Sequence, residues 1–243
     1  TALAFFGYSG ATKFVTIFFL EEGAVEVGFN SLILTYVAMT VVAVFAPGIV
    51  NRYAPKKVMM GVLAVYAVYI ASLAWANVSV LYIASVAIGA GAAVFWTAQS
   101  SYLLRLSFKE SRGSNSGFFE AVFLGGSALG AFVLGFLIDT FSFRAAFIVG
   151  VVPIILGMLL LTALPKTGAS EEKKKKKRQI NLVFRALRSI TVIRIGSTWA
   201  VMAILFGLVL GILPIQIERA FGAALTVGLL TSLIYIFPIP LLF

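Results

Sequence analysis

The 243 residues contain no cysteine and no histidine. Their absence excludes from this chain disulfide frameworks, cysteine nucleophiles, histidine-based catalytic triads and metal sites built on His or Cys. Charged residues are also scarce, at 12% of the sequence, compared with about 25% in soluble domains. No other catalytic constellation is present, so we expect a protein that is not an enzyme and that uses no metal and no cofactor.

Long apolar runs take the place of the missing charge. The hydrophobic set makes up 61% of the sequence, which is more than a soluble globule of this size can hide without large exposed patches. Runs of roughly 20 apolar residues cross a hydrocarbon core as helices, whereas a lone strand leaves its backbone unpaired in lipid. We therefore predict an all-α integral membrane protein with about eight transmembrane helices. The predicted spans lie near residues 1–20, 28–50, 58–76, 80–104, 117–138, 145–164, 190–214 and 223–243.

One-sided charge predicts the orientation of these spans. Connection 51–57 carries three cations and no acid, and 166–188 carries nine cations against two glutamates. On the alternate side, 21–27 carries three glutamates and no cation. Because cationic loops stay in the cytoplasm, we expect a multi-pass protein of the plasma membrane with a cytoplasmic N-terminus and a cytoplasmic 165–189 loop. Topology thus accounts for the net charge of +10, and the expected partner is the lipid bilayer rather than nucleic acid.

The spans group into three predicted parts. These are a six-helix bundle over 1–164, a basic linker over 165–189, and the first two helices of a second bundle over 190–243. The lysine run 173–177 within the linker is interpreted as a solvated segment that enforces topology, in preference to a binding site for anionic lipid. Since the chain begins and ends inside apolar runs, we expect it to be a fragment of a longer protein.

The loop after the second span resembles a family signature. Residues 47–57 are similar to the Gly-x-x-x-Asp-Arg-x-Gly-Arg-Arg/Lys run of the major facilitator superfamily. Arg52 and Lys56 keep the basic positions of that signature. Asn51 replaces its aspartate, Ala54 replaces its second glycine, and Pro47 replaces its first. The position of this loop, between the second and third spans, is also the one that the family uses.

A second run resembles one branch of the same family, the Unc-ninety-three-like branch. That branch ends its fourth span with Trp-x-x-Gln/Lys-x-x-Tyr, and residues 89–103 contain Trp96, Gln99 and Tyr102 at this spacing. The resemblance covers residues 1–165.

The resemblance implies a fold and two alternative functions. Members of the family usually have two six-helix halves that rock about a site near the membrane midplane, so about eight of an expected twelve helices are present here. The implied function is secondary transport of a small solute by alternating access, with the substrate and any coupling proton or ion left open. Since relatives also include a channel regulator and a trafficking chaperone, the alternative is a non-transporting partner of another membrane protein.

Lys13 is the clearest candidate for a functional group inside the membrane. It lies within the first span, and Thr12 and Thr16 add to a polar stripe on the same helix. A charge in hydrocarbon is costly and normally faces a cavity or a partner. We predict that Lys13 lines a substrate cavity and pairs with an anionic ligand or a carboxylate. The alternative is a lysine that extends toward the outer interface near Glu21.

Trp96 and Gln99 in the fourth span complete the predicted cavity. The Gln99 amide offers four hydrogen-bonding sites that need partners. Trp96 lies one turn earlier on the same stripe. A substrate-binding role and a helix-packing role remain alternatives for both residues.

Glu120 is the only carboxylate well inside an apolar span. One interpretation is a proton carrier. The other is an ion pair with Arg105 or Arg52 that holds a cytoplasmic gate. We assign the following residues to this gate or to the signature loop: Asn51, Arg52, Lys56, Lys57, Arg105, Arg112 and Glu120.

Overall fold

A computed structural model describes residues 1–75, 77–165, 189–190 and 211–242 of the chain. Within these ranges six helices are long and apolar enough to cross a membrane, which confirms the predicted all-α membrane fold. The predicted span 190–214 and linker 165–189 lie almost entirely outside the described residues. The helices are α1 (Ala2–Glu21), α2 (Val25–Ala43), α3 (Ala46–Tyr53), α4 (Pro55–Ala74), α5 (Val78–Leu106), α6 (Arg112–Thr140), α7 (Phe143–Ala163), α8 (Leu213–Phe221) and α9 (Ala224–Ile236), with one-turn 3-10 helices at Lys109–Ser111 and Ile239–Leu242.

Prolines divide two of the runs that the sequence predicts as single spans. The predicted span 28–50 is two helices, because α2 ends at Ala43 and α3 begins at Ala46. Pro47 accounts for this break, since a proline ring clashes with the carbonyl four residues earlier, here that of Ala43. The predicted span 223–243 is likewise interrupted after Ile236, where Pro238 follows. A proline has no N–H to donate and its ring clashes with the carbonyl four residues earlier, here that of Ile234, so the helix cannot continue through it.

Helix α1 is the central helix of the bundle. In its most apolar window 72% of the residues are buried, compared with 22% in α2 and in α7. Close approach of neighbouring backbones accounts for this burial. A Cβ added at Gly10 would lie 2.7 Å from the carbonyl carbon of Gly130 in α6, and one at Gly7 would collide with the carbonyl oxygen of Gly150 in α7. Small residues at such contacts are typical of helix packing in membranes.

Helix α9 packs along α6 through a second set of glycine contacts. A Cβ at Gly228 would lie 2.5 Å from the carbonyl oxygen of Ala131, and one at Gly135 would lie 2.7 Å from that of Ala224. The hydroxyl of Ser232 donates a hydrogen bond of 2.7 Å to the carbonyl of Ala128. This interface joins α1–α7 to the C-terminal pair α8 and α9.

The helix ends collect at two faces of opposite charge. At one face Lys56, at the start of α4, donates to the carbonyl oxygens of Thr162 and Leu164 at the end of α7. At the other face the carboxylate of Asp139, near the end of α6, accepts hydrogen bonds from the start of α9. We call these faces the basic end (residues 43–57, 105–112 and 162–165) and the acidic end (residues 21–26, 139–144 and 218–224).

Candidate functional site

The side chain of Lys13, in α1, is buried against α9. Only 2% of the side chain is exposed, and its Nζ lies 4.7 Å from the centroid of the Tyr235 ring. The hydroxyl of Ser9, one turn before Lys13, donates a hydrogen bond of 3.3 Å to the Tyr235 hydroxyl. Lys13 is the only charged residue among the buried ones of the described chain. Its ammonium group therefore points into the protein and faces the C-terminal helix pair.

The described contacts do not compensate the charge of Lys13. Burying an ammonium ion costs several kcal/mol even after the surroundings relax. A desolvated cation over an aromatic ring recovers about 2 kcal/mol, and no carboxylate in the described ranges lies within electrostatic range of Lys13. The Tyr235 ring thus offsets only part of the cost. A buried cation in this position is typical of a functional group rather than of a packing residue.

Five tyrosines lie near one another, and they form what we call the tyrosine cluster; one of them, Tyr235, is the ring that contacts Lys13. Tyr8 is in contact with two rings of α4, with centroid distances of 4.7 Å to Tyr66 and 6.2 Å to Tyr69. The phenols of Tyr36 in α2 and Tyr235 in α9 lie within electrostatic range of Tyr8. Four helices, α1, α2, α4 and α9, therefore contribute to one aromatic and polar site.

Several hydroxyls of this site lack hydrogen-bond partners. Within the described residues the hydroxyls of Tyr66 and Tyr69 are buried and have no partner, although Ser31 lies beside Tyr69 without reaching hydrogen-bond geometry. Buried polar groups in native proteins are normally satisfied. Tyr36 differs, since 45% of its side chain is exposed. The cluster thus combines unpaired buried donors with one side chain that reaches the surface of the described structure.

Sequence analysis did not identify the tyrosine cluster. Tyr66 and Tyr69 are three residues apart, so they share one face of α4, and this spacing was a usable signal. Tyr8 lies next to Ser9 at the edge of the polar stripe of α1. Tyr235 carried no signal, because nothing in the sequence places its helix against α1.

The predicted cavity residues separate into two groups. Thr12 stays near Lys13, and its hydroxyl donates to the carbonyl of Ser9 at 3.1 Å. Thr16 packs against α2, where a Cβ at Gly28 would lie 3.0 Å from its Cα. Gln99 lies near the basic end instead, with its Oε1 3.4 Å from the Thr1 hydroxyl. Because Lys13 is twelve residues after Thr1, about 18 Å along the helix axis, Gln99 and Lys13 cannot contact the same small group.

Trp96 lies in a series of contacting aromatic rings that extends from near Gln99 to the tyrosine cluster. Its ring lies 5.1 Å from Phe5 and 5.2 Å from Phe123 of α6. Phe5 in turn lies 6.4 Å from Tyr66. A continuous aromatic wall therefore runs along α1 from near Gln99 to the tyrosine cluster.

Hydrogen bonds from Lys56 of the signature loop and from Tyr102 connect the helix ends at the basic end. The Lys56 ammonium donates 2.8 Å to the Thr162 carbonyl, and the Tyr102 hydroxyl donates 3.0 Å to the Pro165 carbonyl. Lysine is a favourable partner for the free carbonyls at a helix C-terminus. Arg52 lies 5.2 Å from the ring of its neighbour Tyr53. The other residues assigned to this end are Asn51, Lys57, Arg105 and Arg112, of which the three cations are exposed and Asn51 is half-buried.

Glu120 is half-buried in α6. In the part of the chain that the structure describes, no charged side chain acts on its carboxylate electrostatically. Both predicted roles, proton carrier and partner of Arg52 or Arg105, therefore stay predictions. The same ranges contain no group of three or more acidic side chains placed to hold a metal ion.

The arrangement of helices and the whole sequence agree on one family. The bundle has six membrane-length helices in its described ranges, with a buried cation where α1 meets α9 and unpaired tyrosine hydroxyls on α4. A family model described as Major Facilitator Superfamily matches residues 1–243. The protein is therefore a member of the Major Facilitator Superfamily, a family of multi-pass membrane transporters.

Proposed function

We propose that this protein carries a small solute across the membrane as a secondary transporter, by alternating access. The observation that supports this proposal most directly is the position of Lys13. It lies on α1 and faces Tyr235 on α9, so the site is shared between the two groups of helices. A solute bound there would contact both groups, and relative movement of the groups would change the side from which the site is reached.

The proposal includes the division of the chain into two moving parts. The first is the six-helix bundle 1–164, and the second begins in 190–243 after the linker 165–189. By the positive-inside rule the basic end and the linker face the cytoplasm, and the plasma membrane is the proposed location. The run Trp96–Tyr102 supports assignment to the Unc-ninety-three-like branch.

Contacts at the acidic end support a closed state at that face. The two carboxylate oxygens of Asp139 accept hydrogen bonds of 2.9 Å from the backbone N–H groups of Ala224 and Leu225. These are free N–H groups at the start of α9, and a carboxylate there satisfies them and interacts favourably with the helix dipole. Because the carboxylate belongs to α6, this cap links the two groups of helices. Alternating access requires the link to break when the acidic end opens.

Opening of the acidic end can be measured directly, as a distance between two spin labels. The 243 residues contain no cysteine, so cysteines replacing Phe141 and Phe221, which are 69% and 64% exposed, provide spin-label sites on either side of the interface. In the full-length protein in liposomes we expect two distance populations. Asp139→Ala should enrich the longer one, and Asp139→Asn, which keeps one acceptor oxygen, should have a smaller effect.

A single short spin-label distance in the wild type, in Asp139→Ala and in Asp139→Asn would contradict alternating access. The alternative function, a regulator or trafficking partner, predicts that result. It rests on the resemblance to a branch alone, and no contact in the described ranges favours it.

A further inference from the structure

We infer that the solute bound beside Lys13 is a monovalent organic anion, a monocarboxylate with an apolar or aromatic body. This inference rests on the proposed function and specifies its substrate class. It is carried by the chemistry of the side chains at the site and by their lack of partners.

The polar groups shown at Lys13 have hydrogen bonds left to donate. The Lys13 ammonium has three N–H donors and no acceptor. The hydroxyl of Tyr235, whose ring contacts Lys13, accepts a hydrogen bond from Ser9, so its own O–H is free to donate. A carboxylate presents acceptor oxygens and negative charge together, so it can pair with the ammonium and also accept from a hydroxyl.

No carboxylate of the described ranges balances the charge of Lys13. The sequence has no Asp or Glu between Glu172 and Glu218, so the segment before α8 supplies none. Glu120 is the only acid inside an apolar run, but it lies far from Lys13. Ala2 packs beside Gly126 of α6, six residues after Glu120, and Lys13 lies eleven residues beyond Ala2. The two helices run in the same direction, so the offset is roughly 25 Å along their axes, beyond the reach of both side chains.

The single positive charge of Lys13 limits the negative charge that a ligand can carry at this site. Lys13 is the only charged residue among those buried in the described ranges. One cation balances one negative charge, so a monocarboxylate fits the site better than a phosphate dianion, whose second charge would stay uncompensated in a poorly solvated site.

The surroundings favour an apolar body on that anion. The tyrosine cluster continues into the wall formed by Phe5, Phe95 and Trp96, with Tyr66 5.6 Å from Phe95 and Phe5 5.1 Å from Trp96. Ligand sites for small organic molecules are typically lined by aromatic and apolar side chains with few polar groups. The carboxylate would meet Lys13 beside Tyr235, and the body would extend toward the rest of the tyrosine cluster and this wall.

Binding and uptake by the full-length protein test the inference. The probes are acetate, hexanoate and benzoate, each paired with its uncharged amide, and phosphate. We expect at least one monocarboxylate to bind and to be taken up into liposomes, and to do so about tenfold or more better than its amide, because a charged partner strengthens a hydrogen bond. Lys13→Met should remove that preference, and Lys13→Arg should retain much of it. Lys109→Met, which removes an exposed lysine of the basic end, is the matched control and should change nothing.

Two results would overturn the inference. One is equal binding of acids and amides by the wild type. The other is an unchanged preference in Lys13→Met. Should Lys13→Met fail to fold, Tyr235→Phe, which keeps the ring beside Lys13 and removes its hydroxyl, must weaken the monocarboxylate more than its amide, and equal weakening counts against the inference. Uptake of amides or of phosphate alone, with two spin-label distances, would contradict the monocarboxylate class and leave alternating access intact. One fixed spin-label distance would refute the proposed function itself.

Discussion

Ala54 occupies a backbone conformation that suits glycine. It joins α3 to α4 with φ of 68° and ψ of 140°, and it is the only non-glycine residue of the described ranges with positive φ. Glycine adopts such angles freely, whereas a Cβ makes them costly. This is the position at which the family signature has its second glycine. The turn thus has a conformation that favours glycine although the residue is alanine.

Restoring the glycine should therefore stabilise the protein. We expect Ala54→Gly to raise the free energy of unfolding by about 1 kcal/mol, because relief of strain exceeds the added entropy of the unfolded chain. Thermal unfolding in detergent measures the change. Ala64→Gly, at an exposed site within α4, makes the same chemical change in a helix and should lower stability by about 0.5–1 kcal/mol. A loss of stability in both variants would show that Ala54 is not strained.

At the scale of elements, glycine contacts decide which helices surround α1. Gly130 allows the backbone of α6 to touch that of α1 at Phe6. Gly125, earlier on α6, has no atom within 4 Å of an added Cβ. Both are glycines of one helix, but only Gly130 lies at a backbone contact. Because α1 carries Lys13, this packing also positions the candidate site.

An alanine at Gly130 should separate the two helices. We expect Gly130→Ala to lower the free energy of unfolding by about 1–3 kcal/mol, because the new Cβ meets backbone atoms that cannot rotate away. Gly125→Ala is the matched control and should be neutral or slightly stabilising, since alanine favours helix. Thermal unfolding of the two variants side by side measures the difference, and equal effects would contradict the packing described here.

At the scale of the whole molecule, the acidic end brings carboxylates from separate helices together. Glu218 of α8 lies within electrostatic range of Glu21 of α1 and Asp139 of α6. Its Oε2 is buried and has no hydrogen-bond partner in the described chain. Burial, and then the neighbouring Glu21 and Asp139, raise the pKa of Glu218 above its usual value. Ionised Glu218 therefore opposes the closed acidic end.

This cluster predicts a pH dependence. A raised pKa means that the ionised carboxylate costs stability above that pKa, and that the cost disappears as the pH falls through it. We expect Glu218→Gln to be more stable than the wild type at about pH 8, and the difference to shrink toward about pH 5. Thermal unfolding across this range measures it. Glu26→Gln, at an exposed position of the same end, serves as the control, and a pH-independent gain in Glu218→Gln would contradict the assignment.

The sequence by itself determined the membrane-spanning helices and the two kinds of charged end. Apolar runs and loop charges are local properties, so they are readable without knowledge of the neighbours. The same holds for Lys13. A charged side chain inside an apolar span is costly whatever surrounds it, so the sequence alone identifies Lys13 as a candidate functional residue. The broken span at Pro47 was also a local feature, but the long apolar run around it hid the break.

Only the tertiary structure decided what surrounds Lys13. Helical spacing shows which residues share one face, but not which distant helix meets that face. Ser9 and Tyr235 are 226 residues apart in the chain, and their contact depends on glycine packing among α1, α6 and α9. The same packing leaves Gln99 near the basic end, apart from the lysine with which it was grouped. The composition of the site is therefore a consequence of how the helices assemble.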